Sequence, residues 1–161
     1  MSEAGYNFIE VAPGIFEFYT QYGAGYKVEF ITAGVYFNSS HPASDFIYSI
    51  DIVLLYPGPY DFNDYIISIT IAEIIIHFFN RDNRIIIFYI CDPSDGKMKA
   101  RQRKFDYWFN TYNTSEYKKI TSTFRARNID MVANFIFLKN NPFAYDIPLI
   151  IDEAKDSFNN K

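Results

Sequence analysis

Residues 6–11 and 15–20 are short runs of aromatic and β-branched side chains separated by Pro13-Gly14. That pattern predicts two strands joined by a tight turn. Gly23-Ala24-Gly25 predicts a hairpin turn into a third strand over 26–37. Asn38-Ser39-Ser40-His41-Pro42 reads as a loop and 46–55 as a fourth strand. Pro57-Gly58-Pro59 breaks the chain, and the apolar period then lengthens. A helix is predicted from near Asp61 or Asn63, either of which can cap it, to about Phe79. On a helical wheel Thr70, Glu73 and His77 share one narrow stripe, and apolar residues cover most of the remaining surface. A helix with that pattern is a buried one.

Residues 84–91 form a nearly continuous apolar run, which suits a central strand covered on both faces. Asp92-Pro93-Ser94-Asp95-Gly96 is a loop. A second helix is predicted over 97–112, with Met98, Phe105, Trp108, Phe109 and Tyr112 as its apolar stripe. Residues 117–124 and 129–138 read as a hairpin joined through Arg125-Ala126-Arg127-Asn128. Pro142 and Pro148 precede a short helix over 149–158. The expected architecture is α+β: a mostly antiparallel sheet with two main helices, in the order β-β-β-β-α-β-α-β-β plus a short C-terminal helix. The 161 residues contain no repeat and no linker, and a chain of this length suits a single domain over 1–161.

Charge is distributed unevenly along this pattern. Nine of the fifteen Lys and Arg residues lie between Lys97 and Arg127, with only Asp106 and Glu116 opposing them. The segment is formally +7 and the remaining 130 residues are formally −11, so the net −4 conceals a strong separation. Such a field steers partners and holds anions.

Composition changes the picture less. The aromatic share is 20%, but 23 Ile against four Leu and an abundance of Asn match the codon bias of an AT-rich genome. The aromatic excess is therefore no argument for ligand stacking. A single cysteine, Cys91, leaves no intramolecular disulfide and no multi-cysteine metal site, which suits a reducing compartment. The first residues, Met-Ser-Glu-Ala-Gly-Tyr, lack the basic and apolar regions of a signal peptide. The longest apolar segment, 65–79, contains Ser68, Thr70, Glu73 and His77 and is too short to span a bilayer. A cytoplasmic location away from membranes is expected.

The candidate chemistry gathers around the second helix. Arg101 lies close to the centre of its apolar stripe, where a guanidinium must snorkel, pair with a carboxylate or meet an anion. Asp92 and Asp95 stand just upstream, so an Arg–Asp clamp on the strand-to-helix loop is one reading and a ligand role the other. Lys97, Lys99, Arg103 and Lys104 lie mostly off the stripe and form a basic face, either simply solvated or presented to a partner. Lys97 and Lys99 also oppose the helix dipole in the first turn. On the first helix Glu73 and His77 are spaced i, i+4 and form a weak acid–base candidate. With His41 as the only other histidine, in a distant loop, no metal site is expected. Cys91 adjoins Asp92, which disfavours a thiolate and argues against a nucleophile.

Two resemblances accompany these residues. From residue 46 onward the order strand, helix, strand, helix, strand, strand, preceded by an antiparallel meander, resembles the acyl-CoA-dependent N-acetyltransferase superfold. That likeness implies a pyrophosphate-binding loop at Tyr56-Pro57-Gly58-Pro59-Tyr60-Asp61. Here two prolines remove N–H donors, Asp61 adds negative charge and no Arg or Gln is present, so the usual cofactor site looks disabled. The run Tyr89-Ile90-Cys91-Asp92-Pro93-Ser94-Asp95-Gly96-Lys97 is followed by Ala100-Arg101-Gln102-Arg103-Lys104-Phe105 and Trp108-Phe109. It resembles an uncharacterised family of small bacterial proteins with a similar β meander and basic–aromatic helix, which carries no known activity.

The first functional expectation is a non-enzymatic interaction protein whose basic helix surface, 97–104, binds an acidic protein partner or another anionic surface, without a cofactor. The alternative is a divergent acyl-CoA-dependent N-acetyltransferase-like enzyme with Glu73 or His77 as its base. A nucleic-acid binder ranks third, because the −11 remainder repels phosphates. The apolar first helix and the apolar segment 147–151 need cover, so a homodimer is also expected.

Overall fold

The structure is a computed structural model and describes residues 4–37, 40–59, 64–91 and 98–159, without the side chains of 98–102, 104–105, 126 and 159. Seven strands are hydrogen-bonded in the order β1-β2-β3-β4-β5-β7-β6. They are β1 (Phe8–Ala12), β2 (Ile15–Tyr19), β3 (Gly25–Thr32), β4 (Ile47–Tyr56), β5 (Ile86–Cys91), β6 (Tyr117–Ala126) and β7 (Ile129–Leu138). The helices are α1 (Tyr65–Phe79), α2 (Met98–Tyr112) and α3 (Ile147–Asn159). The mostly antiparallel α+β arrangement agrees with the expected element order. The chain divides into two compact units, Met1–Ile31 with Ile50–Asp82, and Thr32–Ser49 with Asn83–Lys161.

In the first unit, Pro13-Gly14 makes the β1–β2 turn, with Gly14 at φ 75° where a side chain would be strained. Phe16, Phe18, Val28 and Phe30 are buried with Ile71, Ile74 and Phe78 of α1. The rings of Phe30 and Phe78 stack with centroids 3.9 Å apart. The helix start differs from expectation: its cap is Asp64, whose Oδ1 accepts the Ile66 N–H at 3.0 Å. Asp61 and Asn63, the two caps expected, lie outside the described residues. Asp64 is favoured because its second oxygen, Oδ2, accepts the Tyr6 hydroxyl at 2.6 Å.

In the second unit, β4 begins parallel to β5, with Ile47 opposite Ile86, and β5 then pairs antiparallel with β7. The expected strand over 26–37 ends early, at Thr32, and a 3-10 turn follows at Gly34–Tyr36. Close packing explains the break: a Cβ on Gly34 would sit 2.0 Å from the Ser44 carbonyl oxygen. The β6–β7 turn is shorter than the four residues expected. Ala126 pairs with Ile129, leaving Arg127 and Asn128 at φ 51° and 65°, the two left-handed positions of a type I′ hairpin turn.

The C-terminal helix begins two residues before the expected start, with Pro148 in its first turn, where a missing N–H costs nothing. It is a core element. Ile147, Ile150, Ile151 and Ala154 are 1–3% exposed against Phe135 and Phe137 of the sheet, and each fully buried Ile is worth about 1.5–3 kcal/mol. Ile147, Ile150 and Ile151 of the apolar segment 147–151 therefore have their cover within their own unit, while Leu149 stays 59% exposed, which weakens that part of the reason for expecting a homodimer.

Candidate functional site

Alternation along β6 decides what its two sides meet. Ile120 and Phe124 point to the α3 side, where the Phe124 and Phe158 rings meet edge-on at 5.7 Å. Lys119 and Thr121, one residue out of step, point to the opposite face of the sheet. There Lys119 pairs with Asp106 of α2 and lies 5.1 Å over the Phe109 ring. Thr121 Oγ1 donates to Asn134 Oδ1 of β7 at 2.7 Å, and Asn134 is fully buried. In register beside Asn134 lies Tyr89 of β5. Burial, and secondarily the neighbouring Asp106 and Cys91, push the Tyr89 hydroxyl well above its ordinary value.

Helices α2 and α3 thus meet β6 from opposite faces, and they carry opposite charge. On α3, Asp152, Glu153 and Asp156 are exposed. On the other side Arg103 of α2 and Arg125 of β6 are exposed, and Arg127 is exposed in the turn, whereas Lys118, in phase with Ile120 and Phe124, is exposed on the α3 side. Arg125 is 3.6 Å from Asp130, with both side chains more than 60% exposed, so the pair contributes little and the guanidinium remains accessible. The charge separation read along the chain becomes a partial separation across one sheet, with Lys118 as the exception.

Among the residues singled out from sequence, Arg103 is exposed on α2 as expected. The side chains of Lys99, Arg101 and Lys104 lie outside the described part of that helix. Asp92, Asp95 and Lys97 lie outside the described residues, and with them the expected Arg101 clamp. Cys91 is buried at 1% exposure. Glu73 and His77 sit on α1 with other neighbours. Glu73 Oε1 accepts the Gly5 N–H at 3.2 Å, and Thr70 Oγ1 accepts the Tyr6 N–H at 2.8 Å. His77 packs edge-on between Phe8 and Phe16, 5.7 Å from each ring. The polar stripe of α1 holds the start of the chain.

Asp106, Lys119 and Asn134 did not stand out in sequence. The signal available was the alternation Lys119, Thr121, Thr123 against Ile120, Ser122, Phe124, which marks a strand with one polar face. A cleft of about 320 Å³ lies elsewhere in the second unit, between Gly34–Tyr36 and α3, with Glu153 and Ser157 as its polar groups. Among the described residues no group of three or more His, Cys, Asp and Glu is placed to hold a metal, and no helix is long and apolar enough to cross a membrane.

Over residues 63–149 the chain matches a family described as a family of unknown function, DUF6169, and it belongs to that family. No curated protein matches it.

Proposed function

We propose that this member of a family without a described activity is a non-enzymatic interaction protein, and that the basic stretch running from α2 through β6 binds an acidic partner protein. The observation that carries the proposal is the exposure of Arg103, Arg125 and Arg127 on one basic segment, with the acids of α3 on the opposite side of β6. A one-signed surface raises encounter rates and discriminates against like-charged partners. The described groups nearest to it are engaged with one another: Asp106 with Lys119, and Thr121 with Asn134. They serve a firm platform rather than a nucleophile and its base.

The test compares wild type with the Lys97→Ala/Arg103→Ala/Lys104→Ala triple variant, using a labelled Glu-rich peptide as probe. Wild type should bind at low ionic strength and weaken as salt rises. The triple variant should bind roughly tenfold more weakly, about 1.4 kcal/mol. Equal binding by the two proteins at both salt levels would sink the reading.

A divergent acyl-CoA-dependent N-acetyltransferase-like enzyme is the second reading. The parallel start of β4 against β5, joined through α1, supports the likeness together with the element order. Two features weigh against it. Pro57 and Pro59 withhold N–H donors from the loop after β4, and Glu73 is occupied by the Gly5 amide. Thermal melting with coenzyme A or acetyl-CoA separates the two readings. A ligand at about a hundred times its Kd adds about 2.7 kcal/mol to stability, so a cofactor-binding protein would melt later. An unchanged melt at millimolar cofactor removes this reading.

A further inference from the structure

We infer that the outer edge of β6 receives an extended, acidic segment of the partner as an added strand, an inference that rests on the basic-surface reading above. Strand β6 ends the sheet order and is ten residues long. Its register against β7 runs unbroken from Tyr117–Leu138 to Ala126–Ile129. The Glu116 carbonyl accepts the Lys139 N–H at 2.9 Å, which fixes the phase of the ladder. Lys118, Ile120, Ser122 and Phe124 turn their backbone groups to β7, and Lys119, Thr121, Thr123 and Arg125 turn theirs outward. Tyr117, also outward, is met by the Asn113 side chain, whose Oδ1 accepts its N–H at 3.4 Å and whose Nδ2 donates to its carbonyl at 3.3 Å. The edge is thus closed at its start by Asn113 and continues from Lys119 to Arg125 with no further strand beyond it among the described residues.

The opposite end of the order, β1, is a different kind of edge. It has five residues, and its register shifts between Glu10 and Ala12. A bulge of that kind spoils the template for an added strand. No such break interrupts β6.

Charge selects the occupant. A second β6 paired antiparallel along the free edge, centred on Ser122, would set Lys119 opposite Arg125, and like charges opposite one another on paired strands are destabilising. Lysines on an edge guard against self-pairing in this way. The same charges favour an extended segment rich in Glu or Asp. Its backbone would supply affinity, and its alternate side chains would meet the basic residues.

The probe is a peptide of about ten residues alternating Glu with Thr or Val, a length matched to the strand. Thr123→Pro removes one outward N–H and leaves the β7 ladder its bonds. It should weaken peptide binding by about tenfold or more while circular dichroism stays like that of wild type. Lys118→Glu/Arg125→Glu should also lose binding. If folded Thr123→Pro binds like wild type and the charge variant does not, strand addition is overturned and the basic-surface reading stands. If both variants bind like wild type, both are overturned. Should Thr123→Pro fail to fold, wild type is tested against the peptide N-methylated at alternate residues in each phase. One phase should lose binding, and equal binding by both overturns the inference. Concentration-dependent shifts of the 119–125 amides without peptide would show a second copy at the edge and would also overturn it.

Discussion

Tyr6 donates its hydroxyl to Asp64 Oδ2 at 2.6 Å, while the other oxygen of the same carboxylate caps α1 at the Ile66 N–H. One side chain thereby starts a helix and fastens a segment 58 residues away in sequence. Asp64→Ala should cost about 0.5–2 kcal/mol from the lost cap, and Tyr6→Phe a further amount of about 1 kcal/mol. Asp64→Asn should recover most of the cap and less of the tyrosine contact. Urea denaturation checks all three, and an Asp64→Ala midpoint equal to that of wild type would show the cap to be idle.

Gly5 leaves no room for a side chain. A Cβ there would lie 2.7 Å from Glu73 Oε2 and 2.8 Å from the Thr70 Cα. Gly5→Ala should push the strip off α1 and destabilise by about 1–3 kcal/mol, the usual range for overpacking. Hydrogen exchange at the Tyr6 amide, bonded to Thr70 in wild type, should accelerate. Unchanged protection would refute the close approach.

These first contacts also show what sequence could and could not reveal. Strand and helix order was legible because periods of two and of three to four residues alternate cleanly, and β7 begins and ends where its apolar run does. The Asp64 cap was not legible, because Asp61, Asn63 and Asp64 are equivalent until Tyr6 arrives to choose among them. The end of β3 at Thr32 depends on Gly34 packing against Ser44, a contact between residues of two different segments. The basic stretch was visible as a charge count. Its division between two faces of a sheet required knowing which side of β6 faces α3.

Lys119 and Asp106 are partly buried together, with side chains 15% and 38% exposed. An exposed pair is worth about 0–1 kcal/mol and breaking a buried one costs about 3–5. Asp106→Ala should fall between, at about 1–3 kcal/mol, because it leaves the ammonium beside Phe109 without its carboxylate. Adding Lys119→Met to that variant should restore part of the loss. Strictly additive effects in this double-mutant cycle would show that the two residues do not interact.

Alkaline stability should depend on Tyr89. Burial raises its hydroxyl above the ordinary value of 10.0, with Asp106 and Cys91 adding to the shift. A proton held more tightly in the folded state contributes stability that is whole below the unfolded value and drains away as pH rises through the folded one. Wild type should therefore lose stability progressively above about pH 10. Tyr89→Phe, lacking the titrating group, should show a flatter limb in denaturant melts across that range. Parallel limbs for the two proteins would refute the assignment.

The acid limb belongs in part to Glu10. Its bond to Arg81, and then that from the Gly14 N–H, hold its carboxyl below the ordinary 4.5. The sign is the reverse of the tyrosine case: the contribution is present above the unfolded value and disappears as pH falls through the lower folded one. Both side chains are about one-third exposed, so solvent screens the effect and it stays small. Glu10→Gln should narrow the difference in stability between neutral and acidic solution, and an unaltered pH profile would count against the pair.

With Asp152, Glu153 and Asp156 on the α3 side of β6 and Arg103 and Arg125 on the other, the second unit is an electrical lever as well as a scaffold. In the field of a charged partner it experiences a torque before any atoms touch, so encounters begin already turned toward the basic side. That bias is a property of rotation and needs no pocket. It fades within a distance of about 10 Å in ordinary salt, so the lever acts only in the last step of approach.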